Sequence, residues 1–153
     1  MAEFALSVSK GDVWDEVAKT TAYLGDKLVV AEGGDDAYDR VLLTDANRED
    51  LQRFWEEAVA HANVRLRELL LRAEAPSGDY VVVLDVSDAY ERALDVSVLS
   101  LLRSYFVLAI VARWCGFADR DDAEGFAGEA EALLEDVRRK LYTRRRPRRP
   151  GRE

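Results

Sequence analysis

The stretch that most constrains the fold of this chain begins at Asp95 or Ser97 and continues to about Cys115. Its apolar residues repeat at helical spacing, and over residues 105–112 every side of the predicted helix is apolar. Such a helix is stable only when it is surrounded, either inside a bundle or between subunits. Because residues 105–112 rise only about 12 Å, well short of a bilayer core, the sequence predicts a buried core helix and no membrane segment.

Two short segments carry the pattern of β-strands. In residues 3–8, Phe4, Leu6 and Val8 alternate with small or polar side chains, and residues 80–86 are rich in β-branched side chains. The two segments are predicted to pair antiparallel. Because an isolated two-stranded ribbon is only marginally stable, helices or a neighbouring subunit are expected to cover it.

Three further helices are predicted from apolar stripes. The first covers about residues 10–24 and ends at Gly25, and residues 28–30 are predicted to be extended. The second covers about residues 47–73 and has the strongest stripe in the first half of the chain. The last ends near Leu141 in a basic turn, which suits a helix C-terminus.

These elements predict an α+β, mainly helical domain. Three long helices form a bundle, with a short N-terminal helix and a small antiparallel strand pair. The predicted single domain covers residues 1–143. Residues 144–153 are predicted to form a basic, flexible tail, because they contain two prolines and almost no apolar side chains.

The charge of the chain is divided unevenly. The formal net charge is −8, but residues 1–137 carry −16 and residues 138–153 carry +8. An acidic total argues against a protein whose whole surface binds nucleic acid or an anionic membrane. The sequence therefore predicts an acidic body with a basic C-terminal end.

We call residues 138–149 the basic segment. A run of this kind can bind phosphates of nucleic acid or lie along an acidic protein surface, and it can also serve only as a solubilising tail. Nine residues in it are candidates for partner binding or assembly: Arg138, Arg139, Lys140, Tyr142, Arg144, Arg145, Arg146, Arg148 and Arg149.

Candidates for catalysis are few. His61 follows Glu57 by one helical turn, which resembles a proton-relay pair but is also typical of a surface histidine beside a carboxylate. The lone Cys115 is interpreted as a small buried hydrophobe. A single Cys and a single His exclude an internal disulfide and the zinc sites that need several of these ligands.

Two acidic groups could suggest a metal site. Asp35, Asp36 and Asp39 follow a glycine pair, but their order differs from that of a calcium loop, so a solvated loop is predicted. The second group, Asp85, Asp88 and Glu91, could suggest a metal-dependent nuclease, but its members are spread over a predicted strand end and a turn. The sequence also has no phosphate-cradling glycine loop, and we expect no enzyme, no metal and no cofactor.

The N-terminal region has neither a basic start nor a sustained apolar run, so it is not expected to be a signal peptide. Synthesis in the cytoplasm and a reduced Cys115 follow as expectations.

The order of three helices resembles a known family. An amphipathic helix (49–60, EDLQRFWEEAVA) precedes an almost wholly apolar helix (100–114, SLLRSYFVLAIVARW), and a final helix ends in a basic run (132–144, ALLEDVRRKLYTR). This layout is similar to that of the head–tail connector, or adaptor, proteins of tailed bacteriophages. Residues 12–23, DVWDEVAKTTAY, are similar to a phrase in virion proteins of gut Bacteroidales phages.

The resemblance implies a structural virion protein at the head–tail junction, made in the cytoplasm of the host bacterium. Its copies would form a homo-oligomeric ring beneath the portal protein, contact tail or neck proteins, touch passing DNA transiently and have no membrane contact. The predicted strands and first helix are additions to the compact all-helical adaptor, and they leave a stopper or tail-completion protein open. The alternative is a small regulator that binds DNA through its arginine-rich C-terminus.

Overall fold

The computed structural model describes residues 2–32, 48–74, 77–117 and 123–147. Within these ranges the protein is α+β and mainly helical, as predicted, with four helices and a small antiparallel sheet. The predicted acidic loop at Asp35, Asp36 and Asp39 lies outside the described residues, as do Arg148 and Arg149 of the basic segment.

The sheet contains the predicted strand pair. Strand β1 (Ala2–Val8) runs antiparallel to β3 (Tyr80–Val86) in a regular register from Ala2 opposite Val86 to Val8 opposite Tyr80. Alternate residues of both strands are buried on one face of the sheet, which makes that face part of the core. The prediction of an antiparallel pair is therefore confirmed.

A third strand corrects the predicted helix over residues 47–73. That helix, α2 (Arg48–Arg65), ends eight residues earlier, and Leu70–Ala73 forms strand β2 on the free side of β3, in the order β1-β3-β2. Leu69 and Leu70 continue the helical spacing of α2 in sequence. They pack on the core from a turn and a strand instead, because pairing with β3 satisfies their backbone groups.

The N-terminal helix also differs from its prediction. Helix α1 (Lys10–Glu32) has 23 residues, so it is not short; it does not end at Gly25, and residues 28–30 are helical rather than extended. A single glycine inside a helix costs only about 1 kcal/mol relative to alanine, which the remaining turns of the helix outweigh.

The apolar helix predicted to run from Asp95 or Ser97 to about Cys115 is α3 (Asp95–Phe117), and it forms the centre of the core. It packs against α1, α2, β1 and the last helix, α4 (Ala123–Leu141). In the described part of the chain, residues 92–116 form one stretch whose length and apolar composition would suffice to cross a membrane, a property that core helices share.

Phe106 of α3 joins three elements. Its ring lies 4.7 Å from that of Trp55 in α2, 4.9 Å from Tyr80 in β3 and 5.0 Å from Tyr105. The polar ends of the neighbours are satisfied: the Tyr105 hydroxyl donates to the Ala58 carbonyl at 2.8 Å. The sheet, α2 and α3 therefore share one aromatic cluster.

Candidate assembly surface

The basic segment begins in the last turn of α4. There Glu135 accepts contacts from three arginines, with Nη atoms of Arg65 and Arg138 at 2.9 and 3.3 Å and Nε of Arg139 at 3.9 Å. Cations in the last turn also interact favourably with the negative end of the helix dipole. Part of the charge at Arg138 and Arg139 is thus offset within the chain.

Tyr142 lies just beyond α4 and is about half exposed. Its hydroxyl donates to Glu68 at 3.0 Å, and the guanidinium of Arg138 lies 5.8 Å from its ring centre. Partial burial and the hydrogen bond to Glu68 raise the pKa of Tyr142, because both disfavour the phenolate. The ring is therefore held between charged groups.

Residues 143–145, which follow Tyr142, are attached to the body through their backbone. The Glu91 N–H donates to the Thr143 carbonyl at 3.1 Å, and the Arg145 N–H donates to the Ala89 carbonyl at 2.6 Å. Between them, Arg144 forms an antiparallel bridge with Tyr90. Residues 89–91, in the turn that follows β3, thus fix the path of the backbone at Arg144 and Arg145.

Three consecutive arginines are presented at this attachment. Arg144, Arg145 and Arg146 are all exposed, and they line a depression of about 1060 Å³ together with Ala89 and Glu91. Nη2 of Arg145 also donates to the carbonyl of Asp88 at 3.3 Å. A planar guanidinium can bind carboxylates or phosphates with two parallel hydrogen bonds, so this surface is suited to an anionic partner.

The structure brings together seven of the nine predicted residues, and Arg148 and Arg149 lie outside the described ranges. Sequence reasoning missed the groups that hold them: the carboxylates of Glu68 and Glu135 and the backbone of residues 89–91. Glu135 has a weak signal in its spacing of three and four residues from Arg138 and Arg139. The other contacts join distant parts of the chain and leave no local pattern.

His61 pairs with a different carboxylate from the predicted neighbour. Its Nε2 lies 2.6 Å from Glu131 in α4, whereas Glu57 accepts from Nε of Arg113 at 3.1 Å. His61, Arg113 and Glu131 line a cavity of about 420 Å³ together with alanines of α3 and α4. The His61–Glu131 pair joins α2 to α4, and no Ser, Thr, Cys or Lys side chain lies among the residues that line this cavity.

The lone cysteine and the acidic side chains of the described residues form no reactive or metal-binding site. Cys115 is fully buried in α3, which confirms its interpretation as a small buried hydrophobe. Over the ranges described above, no group of three His, Cys, Asp or Glu side chains could hold a metal ion.

Comparisons with other proteins identify no relative. No protein-family model, no curated protein and no solved structure matches the chain.

Proposed function

We propose that this protein is a structural component of the neck of a tailed bacteriophage. Its copies join head to tail into a ring that connects the portal to the tail and lets DNA pass. The resemblance in helix order motivates the proposal, and one geometric observation supports it: exposed acidic and basic groups lie at opposite ends of the sheet.

The acidic end is defined by Asp12, Asp15, Glu56 and Asp79, all of which are exposed. Asp79 directly precedes β3, and Lys10, whose backbone N–H donates to Asp79 at 3.0 Å, follows β1. The side chain of Lys10 reaches Gln52, which in turn donates to Glu56 at 3.2 Å. These contacts place Asp79 and Glu56 at one end of the β1–β3 pair. Asp12 and Asp15 lie in the first two turns of α1, which begins at Lys10 at the same end.

Arg144, Arg145 and Arg146 of the basic segment lie beyond the other end of β3, since Arg144 bridges to Tyr90, four residues after the strand. Seven strand residues separate the two ends by roughly 20 Å. A contact between unlike surfaces of two copies is heterologous, and such contacts generate rings when the rotation closes. Opposite charges at opposite ends favour this head-to-tail contact and disfavour head-to-head pairing.

The acidic body suits the proposed position around DNA. With −16 over residues 1–137, a channel lined by this surface repels the phosphate backbone, so DNA passes without being retained. The proposed partners are further copies of the chain, the portal protein and other neck or tail proteins. The proposed role involves no catalysis and no cofactor, and its location is the head–tail junction of the virion.

The test is assembly of the purified full-length chain, with and without portal protein, followed by mass photometry and negative-stain microscopy. Replacing Arg144, Arg145 and Arg146 by Ser should weaken assembly and leave thermal stability nearly unchanged. The matched control replaces three exposed cations elsewhere (Lys19→Ser, Arg53→Ser, Arg103→Ser) and changes the net charge equally. A chain that stays monomeric and ignores the portal contradicts the proposal, as does equal loss of assembly in both variants.

The exposed arginine run also favours the second candidate, a small DNA-binding regulator. That function predicts affinity for duplex DNA that falls steeply with salt and disappears on removal of residues 144–153. Fluorescence anisotropy with a labelled duplex, measured on the same variants, separates the two functions. Tight DNA binding by a monomer supports the regulator and contradicts the ring.

A further inference from the structure

In the part of the chain that the structure describes, no strand pairs with the outer edge of β1. The N–H of Asp85 donates to the carbonyl of Leu69 at 2.7 Å, so the backbone groups of Asp85 point towards β2 and away from β1. In an antiparallel ladder, the partner of such a residue also directs its N–H and C=O away from the shared side. Glu3, opposite Asp85, therefore directs its N–H and C=O outward. Ala5 and Ser7 do the same, because every second residue of a strand directs its backbone groups to the same side.

Strand β1 has few of the features that usually protect edge strands. It has seven residues in an unbroken register with no lysine and no proline, and Glu3 is its one charged residue. Its outward-facing groups belong to residues with exposed, mostly small side chains. Arg92 donates to the Glu3 carbonyl at 3.4 Å, and this bond must break before the carbonyl can accept from another strand.

We propose that β1 pairs antiparallel with β1 of a second copy of the chain, about a two-fold axis through Ala5. In this register Ala5 lies opposite Ala5 of the partner subunit, and Glu3 lies opposite Ser7 of the partner subunit. These outward-facing residues form three hydrogen-bonded pairs, or about six hydrogen bonds across the contact. The two sheets then form one continuous sheet of six strands.

The sequence of β1 is self-complementary in this register. The two copies of Glu3 lie four residues apart along the strand, about 13 Å, so like charges do not face each other. Phe4 lies opposite Leu6 of the partner subunit on the core face, where closely spaced apolar pairs stabilise a sheet. A register centred on Glu3 would place two carboxylates directly opposite each other and is disfavoured.

This inference does not rest on the proposed function. The β1 contact is two-fold and closed, whereas the contact of the basic segment joins unlike surfaces. The two contacts use separate residues. Replacing Arg144, Arg145 and Arg146 by Ser should therefore leave a β1-paired dimer intact, and failure of one proposal does not imply failure of the other.

Cysteine crosslinking tests the register. In a hydrogen-bonded antiparallel pair the Cα atoms lie about 5.5 Å apart, within the range of a disulfide. We expect the Ala5→Cys variant to run as a covalent dimer in a non-reducing gel after mild oxidation. The Glu3→Cys variant, whose two thiols lie too far apart to join, should run as a monomer in the same gel. The native Cys115 is buried and does not interfere. Equal crosslinking of both variants, or of neither, overturns the proposal.

Charge substitution tests the same contact without oxidation. Ser7→Glu places a second carboxylate opposite Glu3 of the partner subunit at two symmetric sites, which should raise the dimer dissociation constant about 2- to 30-fold by sedimentation equilibrium. Ser7→Lys should lower it, and combining Ser7→Glu with Glu3→Lys should restore it. Equal constants for the Glu and Lys variants contradict the register.

A proline variant separates pairing from folding. The N–H of Ala5 points outward, so Ala5→Pro removes a donor that the monomer does not use, and proline is tolerated at such edge positions. We expect an unchanged far-ultraviolet circular dichroism spectrum and a monomer by sedimentation. A folded Ala5→Pro variant that still dimerises contradicts pairing through β1.

Discussion

Phe106→Ala is expected to remove a large part of the stability of this fold. Phe106 is fully buried and joins α2, β3 and α3 through rings 4.7–5.0 Å away. Truncation of a buried phenylalanine costs about 3–5 kcal/mol, because apolar transfer energy is lost and a cavity remains. Against a typical total of about 5–15 kcal/mol, this loss corresponds to a fall in Tm of about 6–20 °C for a chain of this size.

The assay is urea unfolding followed by circular dichroism at 222 nm. The same change at Phe126, which is only partly buried on α4, is the matched control and should cost about 1–2 kcal/mol. Phe54 lies on the buried face of α2, so Phe54→Ala should lower the free energy of unfolding by about as much as Phe106→Ala does. Equal losses at Phe106 and Phe126, with unchanged m values, would refute the assignment of the core centre to α3.

Three further predictions follow from single sites. Glu135→Ala should cost less than about 1 kcal/mol in urea unfolding, because the ion pairs it loses are partly exposed, and the loss should shrink at high salt. Gly128→Ala should stabilise the protein by about 0.5–1 kcal/mol, since a Cβ there meets nothing within 4 Å and the unfolded chain loses freedom; destabilisation would show an unseen neighbour. Burial raises the pKa of Tyr80 and Tyr105 above the ordinary value of about 10, so the folded protein keeps protons that the unfolded chain releases. Its free energy of unfolding should therefore fall as pH rises above 10, and the tyrosinate absorbance of these residues should appear only with unfolding.

The local sequence predicted those elements whose pattern agrees with their tertiary contacts. Alternation in residues 3–8 matches a strand with one buried face, and the apolar run of α3 matches its position between four other elements. In both cases the positions of the apolar residues follow from burial alone, so the periodicity of the sequence is sufficient to predict the type of element.

Strand β2 could not be predicted in the same way. Leu70 and its neighbours have good helix propensity and follow the stripe of α2, with no glycine or proline before them. Their conformation is decided by pairing with β3 beyond the next turn, where tertiary contacts outweigh local preference. Helix α1 shows the opposite case, in which the local signal predicts an end that does not occur. Gly25 can end a helix, but α1 continues past it to Glu32.

The sequence predicts which residues form the candidate assembly surface but not the contacts that hold them. Its charges are visible in the sequence, whereas the attachment of Thr143 and Arg145 to residues 89–91 depends on backbone groups that every residue type carries. The pairing of His61 with Glu131, which lies 70 residues away, is equally invisible to local spacing. Contacts of this kind become apparent only in the folded chain.

A charge-swap mixture tests the head-to-tail contact most directly. One variant carries Arg144→Glu, Arg145→Glu and Arg146→Glu; the other carries Asp12→Lys, Asp15→Lys and Glu56→Lys. Each alone has like charges at both contacting surfaces and should stay below ring size in mass photometry. An equimolar mixture restores opposite charges at every head-to-tail contact and should form rings of alternating copies. Both variants must first be shown to be folded. If the particle mass in the mixture then stays as low as in each variant alone, a ring held by the acidic end and the basic segment is contradicted.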